Sequence, residues 1–153
     1  MKILILGGTG RTGHYIVNEA LNRGHSVNAL VRYPEKLKVN SDRLVTSQGT
    51  PTNREDLKKA MKDCEVVLSA LNISRKSDFP WSKLVSPPDL LSESMRNVVE
   101  LARLFNIKRI IMITAGGVGD SNKYLPGWFR WIIHNSNIGI TYKDHERQEQ
   151  ILK

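Results

Sequence analysis

Ile3-Leu4-Ile5-Leu6-Gly7-Gly8-Thr9-Gly10-Arg11-Thr12-Gly13 lies at the start of the chain, and the fold follows from how it is read. Its apolar run predicts a buried strand, the glycines a tight turn, and the residues beyond them a helix. Ile16, Val17, Ala20 and Leu21 recur with helical spacing, and Gly24 suits the C-terminal cap. A second strand over Ser26 to Val31 then closes a β-α-β unit.

Gly8, Gly10 and Gly13 satisfy G-x-G-x-x-G, and Gly7, Gly10 and Gly13 the looser G-x-x-G-x-x-G. In such a turn the first glycine lets the chain leave the strand sharply. The middle one lets backbone N–H groups approach a pyrophosphate, and the last lets the helix lie close to the sheet. The anion then meets the positive end of the helix. The spacing alone is weak, since glycine turns also occur in structural roles; the flanking strand and helix make it a dinucleotide reading. The candidate loop is Gly7, Gly8, Thr9, Gly10, Arg11, Thr12 and Gly13.

About twenty residues beyond the glycines, an acid would accept hydrogen bonds from the ribose 2′-hydroxyl of NAD. Arg32 stands there instead. An acid would repel a 2′-phosphate, whereas a guanidinium binds it in a forked geometry. NADP(H) is therefore expected ahead of NAD(H), which remains possible. Arg11 is a second cation able to reach that phosphate. The competing reading leaves either arginine simply solvated.

At 153 residues the chain is expected to form one domain, 1–153, short for a dinucleotide enzyme with its own substrate lobe. No apolar run approaches membrane-spanning length and no signal-peptide pattern opens the chain, so a cytoplasmic protein without a membrane partner is expected. The single cysteine, Cys64, has no internal disulfide partner and is expected to pack between a helix and a strand. A net charge of +8 invites a nucleic-acid reading, but the cations are scattered among acids and no recognition motif is present. An anionic cofactor accounts for the charge, and no specific nucleic acid is expected.

Tyr33 to Asp42 is polar with a turn at Pro34, Arg43 to Thr46 predicts a third strand, and Asn53 to Lys62 a helix. Glu65 to Leu71 reads as a fourth strand, apolar enough to be covered on both faces. Its end, Ala70 and Leu71, is expected beside the cofactor, because ligands in parallel sheets bind outside the carboxyl ends of the strands. Asn72 to Pro88 lacks periodicity and reads as a flap over the nicotinamide, with Phe79 and Trp81 either stacking surfaces or packing residues. Asp89 to Asn106 is the clearest helix, and Lys108 to Ile113 a fifth strand ending in Thr114-Ala115-Gly116-Gly117. The Thr114 hydroxyl could donate to developing negative charge on a substrate or cap the following turn. Trp128, Trp131 and Ile132 share a helical face, either lining a pocket for a planar substrate or packing against protein. A last helix is predicted from Thr141 to Leu152, where His145 reads as an exposed residue of a polar helix.

These residues resemble the atypical short-chain dehydrogenase/reductases with an NAD(P)H-binding domain, especially the biliverdin reductase B/flavin reductase and NmrA-like groups. The resemblance spans essentially the whole chain. It is carried by GGTGRTG, the LVR ending of the second strand, EDLKKAMKDCEVVLSAL and SMRNVVELARLFNIKRIIMITAGG. It implies a Rossmann-like α/β fold, a doubly wound parallel sheet with helices on both faces, NADPH binding, and hydride transfer to flavins, biliverdin-like pigments or quinones. On that basis Thr114 stands where the reductases place an active-site serine, and His145 is similar to their histidine near the substrate.

Three features depart from the family pattern. Tyr-x-x-x-Lys is absent: four residues beyond Tyr15, Tyr33, Tyr124 and Tyr142 stand Glu19, Leu37, Trp128 and Glu146. That disfavours alcohol–ketone chemistry but not flavin reduction, which needs orientation more than proton machinery. Thr50 follows Gly49 where relatives usually carry an aspartate near the adenine. Relatives also continue past the final helix with another strand and a substrate lobe. The sheet is thus expected to be truncated after the fifth strand and the helices that follow, leaving an exposed edge open to self-association. The readings that follow are a reductase of a small planar substrate or, from another class, a non-catalytic NADP(H)-binding sensor of NmrA type.

Overall fold

The computed structural model describes all residues, 1–153. They group into two compact units, one of residues 1–71 and 96–113 and the other of residues 72–95 and 114–153.

The first unit is built on a parallel sheet. β1 (Lys2–Leu6), β2 (Ser26–Val31), β3 (Leu44–Gln48), β4 (Val66–Ser69) and β5 (Arg109–Met112) lie in the order β3-β2-β1-β4-β5. In register, Leu6 is opposite both Leu30 of β2 and Ser69 of β4. α1 (Arg11–Asn22) connects β1 to β2, and α2 (Arg54–Met61) connects β3 to β4. These connections run in opposite directions along the sheet, so right-handed crossovers place the two helices on opposite faces. α3 (Leu90–Leu104) begins in the second unit and ends in the first. This is the Rossmann-like α/β arrangement expected from the opening residues.

Alternation along the strands divides the core. Ile3, Ile5, Val27, Ala29 and Val31 pack with Val17, Ala20 and Leu21 of α1. The other side of the sheet carries one buried amide, Asn28, whose Nδ2 donates to the Ala60 carbonyl of α2 at 2.7 Å and whose Oδ1 accepts from Ser47 at 2.9 Å. α1 ends as expected, with Gly24 N–H on the Leu21 carbonyl and His25 N–H on that of Ala20. α2 starts on Asn53, whose side chain accepts from the N–H groups of Glu55 and Asp56. Cys64 is buried, its thiol directed at the Ala60 carbonyl, and burial pushes its pKa up to about 11. It is therefore an inert packing residue at neutral pH. β5 lies at the sheet edge, with Ile111 46% exposed where a central strand would bury it.

In the second unit, residues 72–88 form a closed excursion. Arg75 and Leu84 pair in an antiparallel bridge, Lys76 N–H donates to the Lys83 carbonyl at 2.9 Å, and Val85 N–H to that of Ser74 at 2.8 Å. α4 (Gly127–Asn135) and α5 (Ile138–Leu152) approach so closely that a Cβ on Gly139 would stand 2.3 Å from the Ile133 carbonyl. α5 begins before the predicted Thr141, because the turn at Ser136 and Asn137 supplies the helix start. Its buried Asp144 closes the unit. That carboxylate accepts from Leu91 N–H at 2.7 Å, Ser92 N–H at 3.4 Å and Ser92 Oγ at 2.6 Å, and pairs with Arg147 at 3.0 Å. An anion from one helix thus satisfies the first turn of another and opposes its positive end.

Asp144→Ala should lower stability by about 2–4 kcal/mol, since it strands buried donors, whereas Asp144→Asn should cost roughly half as much. Urea unfolding followed by tryptophan fluorescence reads this directly, because Trp81, Trp128 and Trp131 all lie in the second unit. An unchanged midpoint for the alanine variant would refute the capping role.

Candidate nucleotide site

β1 and β4 are neighbours in the sheet, and the chain leaves them toward opposite sheet edges. A crevice opens at such a switch point, outside the strand ends. The chain leaving β1 reaches Gly7, at φ +80°, where a Cβ would stand 2.7 Å from the Ala70 carbonyl at the end of β4. Ala70 and Leu71 therefore flank the turn at van der Waals distance, and Ala70 N–H donates to the Leu6 carbonyl at 2.9 Å.

The turn closes with Gly10 N–H on the Gly7 carbonyl at 3.0 Å, and α1 opens with His14 N–H on the Gly10 carbonyl at 2.9 Å. A Cβ at Gly13 would stand 2.0 Å from the Gly7 carbonyl oxygen, so only glycine permits this approach of helix to strand end. Gly8 packs inward, 3.3 Å from a Val17 methyl measured from its would-be Cβ, while Thr9, Gly10, Arg11 and Thr12 are exposed. No side chain caps the helix and its first turn holds no acid. The N–H groups of that turn have no acceptor within the helix and face outward beside Arg11, which suits a phosphate.

Arg32 directly follows β2 and is exposed, its guanidinium 6.0 Å from the Tyr33 ring centroid and without a carboxylate partner. At the next strand exit, Thr50 N–H donates to the Asp56 carboxylate at 3.2 Å. An acid from the first turn of α2 thus stands at this corner beside Thr50. The glycine loop, Arg32, Ala70 and Leu71 all belong to the first unit.

Thr114 and His145 belong to the second. Thr114 neither caps a turn nor offers a free proton: its hydroxyl donates to Glu149 at 2.5 Å. Tyr142 holds the same loop through its hydroxyl on the Gly116 carbonyl at 3.2 Å. His145 is 4% exposed, contrary to the exposed histidine expected on a polar helix. The polar residues Thr141, Asp144, His145 and Gln148 form the buried side of α5, and its charged residues face out, so mean polarity misjudges the helix. His145 Nδ1 has no hydrogen-bond partner, and burial holds the imidazole below its usual pKa of 6.5 against the opposing pull of Asp144 and Glu149. Trp128 and Trp131, read as pocket-lining or packing residues, are 68% and 61% exposed, and Ile133 is the residue of α4 that packs.

Sequence reasoning missed Asp144, Glu149 and Asp56. Asp56 carried a local signal, an acid in the first turn after an Asn cap, whereas the partners of Asp144 and Glu149 are remote in sequence. No group of three or more His, Cys, Asp or Glu side chains could hold a metal ion. No helix is long and apolar enough to cross a membrane.

A family model described as NAD(P)H-binding matches residues 7–153. Among curated proteins, an isoflavone reductase homolog of Nicotiana tabacum is 37% identical over 86 residues, covering 50% of this chain and 28% of its own. A 3-diazoavenalumate denitrifying reductase of a Streptomyces species is 33% identical over 116 residues, 72% of this chain and 36% of that protein. The chain thus spans roughly a third or less of the length of these relatives. Among solved structures, the anaerobilin reductase ChuY of Escherichia coli superposes with a TM-score of 0.76 at 18% identity, over 99% of this chain and 66% of that one. A short-chain dehydrogenase/reductase of Veillonella parvula in complex with NADP gives 0.71 at 18% identity, over 99% and 63%. At these identities the superpositions establish the fold.

Gly13→Ala should abolish measurable NADP(H) binding and destabilise the fold by about 2–3 kcal/mol, because the added methyl must push α1 off the strand end. Calorimetric titration and urea unfolding read the two effects. A second expectation concerns acid. An imidazole held below 6.5 binds its proton more readily in the unfolded chain, so stability should be intact above pH 6.5 and fall as pH drops below it. In His145→Gln that part of the decline should vanish; an unaltered pH profile would contradict it.

Proposed function

The chain belongs to the family of NAD(P)H-binding domains, and from that premise we propose that it binds NADP(H) ahead of NAD(H) and acts in a reductase of a flavin or similarly planar acceptor. The observation that carries the cofactor choice is Arg32, an exposed guanidinium without a carboxylate partner at the end of β2, where an acid would select the unphosphorylated ribose. The N–H groups of Gly7 to Gly13 and the side chains of Thr9, Arg11 and Thr12 would hold the pyrophosphate. Ala70 and Leu71 would border the bound dinucleotide.

NADPH, when bound, supplies a hydride. Thr114 and His145 are assigned to the acceptor side through the resemblance to flavin and biliverdin reductases, and the names of the curated relatives support a reductase. With its proton committed to Glu149, Thr114 would present oxygen lone pairs to the acceptor. His145, held neutral by burial and with its Nδ1 enclosed, would shape the acceptor side without touching the acceptor through that nitrogen. The sensor reading retains one specific support: no Tyr-x-x-x-Lys pair is present, and the hydroxyl nearest to replacing that tyrosine is already engaged.

Arg32→Ala should weaken NADP(H) binding roughly 10- to 100-fold, the loss of one charge-assisted contact, and leave NAD(H) within about twofold. An equal effect on both nucleotides, or none, removes Arg32 from the site. Turnover is read as NADPH oxidation with FMN, riboflavin or a quinone. Tight NADP(H) binding without oxidation in any of these would favour the sensor.

A further inference from the structure

The second unit carries an aromatic surface that the nucleotide reading does not use. On α4, Trp128 and Trp131 are 68% and 61% exposed, although a side chain of that size is mostly buried in folded proteins. They stand three residues apart, on one stripe of the helix that continues to Asn135. The Trp81 indole N–H donates to the Asn135 carbonyl at 2.8 Å, which places Trp81 at the end of that stripe. Phe79, 62% exposed, lies with its ring centroid 5.3 Å from that of Trp81. Asn137 Nδ2 ties the excursion to the α4–α5 turn through the carbonyls of Trp81 at 2.9 Å and Ser82 at 3.1 Å, so the aromatics are held in a fixed array.

The charge around this array is mainly positive, with Asp78 beside Phe79 as an exposed exception. From Ser121 to Lys143 there is no Asp or Glu, while Lys123, Arg130 and Lys143 are all exposed cations. An isologous contact between two copies would set these cations against each other. An anionic surface would complement them.

We propose that this face of α4 and the residue 79–81 tip dock peripherally on a membrane surface bearing anionic headgroups. The indole N–H groups of Trp128 and Trp131 have no acceptor within the chain, so they are available to headgroup oxygens while their rings enter the acyl boundary. Trp81 already has its donor satisfied and can insert without leaving one unpaired. Arg130 within α4 and Lys123 just before it are exposed cations that would meet the lipid phosphates, each adding attraction that falls with salt. Such docking is distinct from spanning the bilayer, which no helix here is long and apolar enough to do.

The test is flotation of the chain with vesicles of phosphatidylcholine alone or mixed with phosphatidylglycerol, at low and high salt, with tryptophan quenching by brominated lipid. Binding is expected to the mixed vesicles at low salt, with loss at high salt and quenched, blue-shifted emission. Trp128→Ser/Trp131→Ser should cut the bound fraction at least about tenfold, and Arg130→Glu should weaken it while far-UV circular dichroism stays unchanged. The proposal is overturned by absence of flotation with the mixed vesicles or by equal flotation of the double variant. It is also overturned if the tryptophans instead drive vesicle-free self-association in sedimentation, or if single-stranded oligonucleotide binds this face and displaces vesicles. None of these readouts depends on NADP(H) turnover, so the reductase reading stands or falls separately.

Discussion

No side chain fits between the first turn of α1 and the Gly7 carbonyl, and the cofactor-binding half of the molecule depends on that fact. A methyl group at Gly13 would meet the oxygen at 2.0 Å, well inside contact distance. Because the approach is allowed, α1 starts against the end of β1 and its unsatisfied N–H groups converge on the crevice between β1 and β4. The same closeness holds at Gly7, whose α-carbon lies against the Ala70 carbonyl, so the ends of the two central strands and the helix start are packed as one corner. The form of this corner is a property of backbone geometry, and the side chains of Arg11 and Arg32 stand exposed in the same unit.

The second unit is organised by a buried charge. Asp144 is fully buried, and a buried carboxylate is costly unless its oxygens are saturated with donors. Leu91, Ser92 and Arg147 supply them, and in doing so fix where α3 begins relative to α5. The buried polar face of α5 follows from this anchor. Once Asp144 is turned inward, helical spacing carries Thr141, His145 and Gln148 inward with it. His145 is thus forced into a setting that opposes its protonation, whatever use the protein makes of it.

The parts of the molecule legible in the sequence are those that short-range rules determine. β2 falls on the predicted residues Ser26 to Val31, Gly24 caps α1, and the order of strands and helices follows from alternating apolar runs and turns. Strand ends were less legible: β3 begins and ends later than Arg43 to Thr46, because its extent is set by pairing with β2 and not by its own hydrophobicity. The burial of His145 was illegible for a sharper reason. Its helix reads as polar throughout, and only the remote partners of Asp144 decide which polar side faces inward. Trp128 and Trp131 fail in the other direction, since aromatic residues at helical spacing ordinarily signal a buried face and here mark an exposed one. No shift in composition marks the division into units, because it runs through the interior of α3 and just past β5.

The glycine turn and Thr114 differ in how far away in sequence their partners lie, and that difference decides what a sequence reading can recover. The glycine turn is closed by Gly10 N–H on the Gly7 carbonyl and His14 N–H on the Gly10 carbonyl, so its form is encoded where it stands. The chemistry available at Thr114 is decided by Glu149, thirty-five positions away, whose carboxylate takes the hydroxyl proton and turns a nominal donor into an acceptor. A hydroxyl so engaged cannot at the same time stabilise an oxyanion by donation, the role its place at the end of β5 would suggest.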